Sequence, residues 1–131
     1  MAEVAKTDQP PVTIPPATPA KTDVQPKEAV VPSDCTAVNV YDWNTRIAYA
    51  ICMAESRGIA SKDNAGLNAN GTVDYGLMQI NSIHADMVGG DLTKLLDPAT
   101  NIRVAYSLSR GGTDWTPWTT YTSGKYLAFL N

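Results

Sequence analysis

The sequence predicts a mainly helical α+β domain in which one short β-hairpin lies beside the helices and lines a cleft. Three observations point there. Trp43, Ile47, Ala50, Ile51 and Ala54 recur at helical spacing and form one apolar stripe. Asp97-Pro98 opens a second helical stretch that Gly111-Gly112 closes. Asn70-Gly71 is a strong turn signal with short β-prone pieces on either side.

Composition divides the 131 residues unevenly. Residues 1–33 hold seven of the nine prolines and none of the ten aromatics or nine glycines. Prolines fix φ and remove backbone donors, so Pro10-Pro11-Val12-Thr13-Ile14-Pro15-Pro16 predicts an extended, disordered linker. Glu3, Lys6 and Asp8 stand where a signal peptide would be apolar, so the stretch is expected to be a spacer between the domain and something upstream. The folded domain is expected over 34–131, enough for one core. No apolar run approaches the ~18 residues of a membrane span. A formal net charge of −3 argues against nucleic acid as a partner. One histidine and two cysteines cannot by themselves make a four-ligand zinc site, and residues 63–71 lack the spacing of a calcium loop, so no metal or cofactor is expected.

Taken in order, the first helix is predicted over about 40–57, with Asn39 as N-cap, Asp42 in the capping-box position and Gly58 as the stop. At about 100° per residue, Glu55 falls roughly 80° from the centre of its stripe, at the edge of the buried face. That is where a cleft wall would put a carboxylate. Thr72-Val73 and Leu77–Ile80 are the expected strand pieces, with Gly76 permitting a kink and Gln79 and Asn81 pointing the same way. Residues 83–96 read as a short helix and turns. The next helix, capped by Asp97, turns Ile102, Ala105, Tyr106 and Ser109 inward. A helix starting near residue 40 puts Cys52 about 18 Å along it, and five extended residues reach about 17 Å. A Cys35–Cys52 disulfide is then feasible but taut, the alternative being two free thiols.

The ordered set Ala54-Glu55-Ser56-Arg57-Gly58, Asp74 through Ser82 (D-Y-G-L-M-Q-I-N-S), Asp97-Pro98 with Asn101-Ile102, and Thr120 through Gly124 resembles the lysozyme-like superfamily. The likeness is to its lytic transglycosylase and goose-type lysozyme branch, above all the small transglycosylases of secretion and conjugation machines. It spans roughly residues 45–124. The resemblance implies an α-rich domain with a cleft that acts on peptidoglycan. The chain is expected to be a monomer without a cofactor, outside the cytoplasm (secreted, wall-associated or tethered through the Pro-rich linker) or part of a phage virion. It implies that Glu55 is the catalytic acid, that Gly76, Met78 and Gln79 line the sugar cleft, and that Tyr121 hydrogen-bonds the acid. Thr120, Thr122 and Ser123 depart from the family's A-Y-N-A-G pattern around that tyrosine. Asp74 matches the second carboxylate of animal-type lysozymes.

The chemistry fits on its own terms. Cleaving a glycosidic bond requires a carboxyl group that stays protonated near neutral pH, and partial burial provides one. Glu55 is the sole glutamate outside the linker. Asp74 is the candidate second carboxylate. Asn81 joins Gln79 as a candidate binding residue, and Tyr75, Trp115, Trp118 and Tyr121 offer flat faces for sugar rings. His84, between Ser82 and Asp86, has no strained, glycine-flanked serine beside it, so a nucleophilic triad is not expected. Three readings follow: a transglycosylase leaving 1,6-anhydro ends, a lysozyme hydrolysing the same MurNAc-β-1,4-GlcNAc bond with Asp74, and a non-catalytic wall-binding module.

Overall fold

The first helix begins five residues later than its periodicity predicts, and the reason lies in Trp43. In a computed structural model describing residues 31–64 and 68–130, a 3₁₀ turn Cys35–Val40 precedes the helix α1, Thr45–Ser56. Asn44 is the N-cap, its side-chain oxygen accepting from the Arg46 and Ile47 N–H groups, both at 3.1 Å. Trp43 inserts from the connecting segment, 6% exposed, and its Nε1 donates to the Val38 carbonyl at 2.7 Å. A buried indole N–H needs such a partner, and the end of a 3₁₀ turn has a carbonyl to spare. Asp42, expected in a capping box, instead accepts from the Tyr106 hydroxyl at 2.8 Å.

The later start eases the disulfide. Cys52 now lies about 10 Å into the helix rather than 18 Å. The turn Cys35–Val40 packs against α1, and Cys35 and Cys52 are bonded with their Cα atoms 5.7 Å apart. Closing a loop of that size is worth about 3 kcal/mol. Ala48, Ala50, Ile51, Cys52 and Ser56 are buried along α1, whereas Ile47 and Ala54 from the predicted stripe are only half-buried.

The hairpin is shorter than expected and turns elsewhere. Strands β1, Asp74–Tyr75, and β2, Ile80–Asn81, pair antiparallel with Asp74 opposite Asn81 and Tyr75 opposite Ile80. The connection is Gly76–Gln79, not Asn70-Gly71, which turns the chain before β1 with Gly71 at φ +83°. Gly76 is obligatory: at φ +77° a Cβ would lie 2.3 Å from both the Asn101 amide nitrogen and the Leu95 carbonyl. Asn101, fully buried, ties this connection down. Its Oδ1 accepts from Met78 N–H, and its Nδ2 donates to the Tyr75 and Leu95 carbonyls, each at 2.8 Å.

Two 3₁₀ segments, Ser82–Val88 and Leu92–Leu96, fill the stretch expected to hold a short helix and turns. Helix α2, Pro98–Leu108, is capped by Asp97 as predicted, with Thr100 N–H donating at 3.0 Å. Ile102, Ala105 and Ser109 point inward; Tyr106 is half-buried and stacks on Tyr41 at 4.3 Å. At Gly112, φ +88°, a Cβ would meet the Trp43 Cβ at 2.5 Å, so the chain leaves α2 only because that side chain is missing. A short α3, Thr119–Thr122, and a 3₁₀ turn Lys125–Phe129 end the described chain. The core gathers Val38, Ile51, Leu77, Met78, Ile80, Leu95, Ile102 and Val104 around a run of rings, Trp43 to Trp115 at 5.3 Å and Trp115 to Trp118 at 6.0 Å. Val31 is half-buried against it. The linker expected over residues 1–33 lies, up to residue 30, outside the described residues. No described helix is long and apolar enough to cross a membrane.

Candidate active site

Glu55 sits in the last turn of α1, where the helix leaves the core, and it is half-buried. Beside it opens a cleft of about 530 Å³ that Asp74, Gln79, Asn81, His84 and Trp118 also border. Burial pushes the Glu55 carboxyl from its ordinary value of 4.5 up to about 7. The nearby negative charge of Asp74 raises it further, while a hydrogen bond from Thr120 and the charges of Lys62 and Lys125 pull it down. Thr120 Oγ1, on α3, donates to Glu55 Oε2 at 2.8 Å. Lys62 Nζ donates to the Glu55 backbone carbonyl at 3.0 Å.

Asp74 enters the cleft from β1, and amides hold it on two sides. Its Oδ1 accepts from Asn81 Nδ2 and its Oδ2 from Asn64 Nδ2, each at 2.9 Å, while its N–H donates to Asn64 Oδ1 at 2.5 Å. Asn81 stands opposite Asp74 in the hairpin register, so the pairing itself delivers one donor. Asn64 follows α1 by eight residues, and nothing in its local sequence marks it as a partner. Gln79 and Asn81 do border the same cleft, but not by strand alternation. Gln79 lies in the left-handed region at φ +49°, before β2, with Nε2 donating to the Gly76 carbonyl at 2.9 Å and the Lys62 carbonyl at 3.2 Å.

The remaining candidates fall into two groups. Gly76 and Met78 are buried behind the cleft: the Met78 carbonyl accepts from Trp118 Nε1 at 2.8 Å, which fixes the indole that forms one wall. Trp118 is 4% exposed, and Trp115, at 6%, is covered between Trp43 and Trp118. Burial of the indole rings completes the core here, which leaves little ring face for a sugar. Tyr75 is half-buried in the hairpin. Tyr121 stacks on Tyr126 at 4.8 Å. The hydroxyl that reaches Glu55 belongs to its neighbour, Thr120, because one residue along a short helix is about 100° of rotation. His84 lines the cleft although its sequence context excluded it only as part of a triad. Among the described residues, no group of three or more His, Cys, Asp or Glu could hold a metal ion.

The arrangement combines a proton-bearing carboxyl and a second carboxylate on the walls of one open cleft. Such a pair can protonate a leaving oxygen and steady positive charge that develops beside it. A family model described as a lysozyme-like domain matches residues 35–120. No curated protein and no solved structure matches the chain.

Proposed function

Because the chain belongs to the lysozyme-like domain family, whose activity is cleavage of peptidoglycan glycan strands, we propose that it cleaves the MurNAc-β-1,4-GlcNAc bond with Glu55 as general acid and then base. The observation that carries this is the Glu55 carboxyl, held at a pKa of about 7 on the wall of an open cleft. Near neutral pH the raised value lets Glu55 keep a proton that an exposed glutamate would have lost. Glu55 gives it to the bridging oxygen, the bond from that oxygen to the MurNAc anomeric carbon breaks, and the GlcNAc-bearing half leaves as an alcohol. The resulting carboxylate then takes a proton from whichever hydroxyl attacks the anomeric carbon. If that is the muramyl C6 hydroxyl, the product is a 1,6-anhydro end, and Glu55 finishes protonated as it began. This is the reading we favour, since one protein carboxyl suffices and the motifs most resemble those of small transglycosylases.

Asp74 favours a second reading. It borders the same cleft and carries a negative charge that Glu55 senses. In a retaining hydrolase such a group acts as nucleophile or charge stabiliser, and water supplies the final hydroxyl. A non-catalytic wall-binding module would have no use for a carboxyl whose burial raises its pKa. The disulfide and a wall substrate together support a location outside the cytoplasm.

Mass spectrometry of muropeptides released from purified sacculi tests the reading. Anhydro-muramyl ends are expected as the main product, and Glu55→Gln is expected to lower the rate at least ~10²-fold without unfolding the protein. Reducing ends alone would establish hydrolysis instead. A Glu55→Gln variant of near-normal rate would remove Glu55 from the mechanism.

A further inference from the structure

Glu55 presents two oxygens, and only one of them can be the working oxygen. Oε2 accepts from Thr120 Oγ1 at 2.8 Å, across from α3 to the end of α1. The donor stands one residue before Tyr121, on the helix α3. Resting on the assignment of Glu55 as acid, we propose that Thr120 is a positioning residue: its hydroxyl occupies Oε2 and so confines the transferable proton to Oε1. When Glu55 is protonated, Oε2 is the carbonyl oxygen of the acid and the proton sits on Oε1. After transfer, the same hydroxyl steadies the carboxylate through a charge-assisted bond, and Oε1 is the oxygen free to accept the proton of the attacking hydroxyl. The O–H bond broken at Oε1 in the first step is remade there in the second, and Thr120 keeps its own proton throughout.

A donor of this kind favours the charged form, so it opposes the effect of burial on Glu55. The other groups that bear on Glu55 are Asp74 from β1, Lys62 from the segment after α1 and Lys125 from the last 3₁₀ turn, with His84 on the same cleft. All of them are left unchanged when only the Thr120 hydroxyl is removed. Thr120 is half-buried near the surface, so Thr120→Val, nearly its equal in volume, is expected to fold.

The test compares wild type, Thr120→Val and Thr120→Ser across pH 4 to 9 in sacculus clearance, with the Glu55 carboxyl titration followed by carbon NMR. In Thr120→Val the Glu55 titration and the alkaline limb of the rate profile are expected to move up together by about one pH unit. The rate on the plateau is expected to fall about twofold, as the proton spreads over both oxygens, and further where the carboxyl loses its fixed orientation. Thr120→Ser, which keeps the hydroxyl, is expected to restore both. Thr120→Ala serves in place of Thr120→Val should the branched side chain disturb folding. A titration and profile that overlay wild type in the hydroxyl-free variants would overturn the proposal, as would failure of Thr120→Ser to restore them. Failure of the underlying assignment looks different: Glu55→Gln would remain active while the NMR titration still responded to Thr120.

Discussion

Replacing Glu55 by Gln should stabilise the protein, and only at the pH where the enzyme works. Burial raises the Glu55 carboxyl from 4.5 to about 7 in the folded state, so the fold binds that proton more tightly than the unfolded chain does. The sign follows from linkage: between those two values the folded state holds more protons, so stability falls as pH rises through the window. Below pH 4.5 the residue is neutral in both states and costs nothing; above pH 7 the full cost of an ionised, half-buried carboxylate is present. A shift of this size corresponds to at most about 3 kcal/mol, and roughly 2 kcal/mol once the water that reaches the open cleft is allowed for. Gln does not titrate, and its carbonyl oxygen can still accept from Thr120. The melting difference between Glu55→Gln and wild type should therefore be close to zero at pH 4 and grow to on the order of 10 °C by pH 8. Thermal unfolding of both proteins by circular dichroism across pH 4 to 9 measures it, and titrating groups that do not interact with Glu55 cancel in the difference, which leaves Asp74, Lys62 and Lys125 as the neighbours whose charges it also carries. A difference that stays flat with pH would refute the reasoning, and so would a less stable Gln variant at pH 8.

Asp74→Asn should retain partial activity with anhydro ends still the main product; the new amide nitrogen must face a donor from Asn64 or Asn81, so one of those bonds is lost. An Asp74→Asn variant as inactive as Glu55→Gln, together with reducing ends as the only products of the wild type, would make the enzyme a lysozyme. Asn101→Ala should cost about 3 kcal/mol, since it strands the Met78 N–H and two carbonyls in a dry interior; an unfolding midpoint in urea within error of wild type would contradict that. Replacing both Cys35 and Cys52 by Ser should lower stability by about 3 kcal/mol and lower the rate per folded molecule more at neutral pH than at about pH 5, a point checked by urea unfolding beside a sacculus assay at both pH values.

Much of this was legible in the residues because the informative signals are local. The cap Asp97, the proline after it and the Gly111-Gly112 stop lie within one helix, so α2 could be read almost to its ends. The start of α1 could not. Asn39 and Asn44 are both good caps, and the choice between them goes with the burial of Trp43 against Tyr106 and Trp115, contacts made from more than sixty residues away. Likewise Asn70-Gly71 turns the chain as its chemistry demands, but the hairpin forms around Gly76, held by Asn101 from twenty-five residues away. At the site, Glu55 was visible from its angle on the helix. Thr120 and Asn64 were not, because whichever hydroxyl or amide meets a carboxylate depends on how α3 and the segment after α1 pack. The two tryptophans illustrate the limit from the other side: an indole reads the same whether it faces a cleft or fills a core, and here both are buried while Trp118 also borders the cleft.

The cost of keeping Glu55 protonatable explains where the strongest ties fall. A half-buried carboxylate destabilises the end of α1, and Asp74 across the cleft adds like-charge repulsion. Left unsupported, either wall could relieve this by opening to water, which would return the carboxyl toward 4.5 and leave it without a proton to give. The disulfide enters α1 at Cys52, three residues before Glu55, and so holds the wall that bears this carboxyl. Asn101 holds the other wall, clamping Tyr75 and Met78 immediately after Asp74. Through Met78 the same clamp reaches Trp118, one residue before the helix that carries Thr120. Each tie is worth about as much as the burial of Glu55 costs. Two of the ties in this small domain thus fall on the segments whose separation would abolish the raised pKa, and loosening either one should lower the pH at which Glu55 ionises.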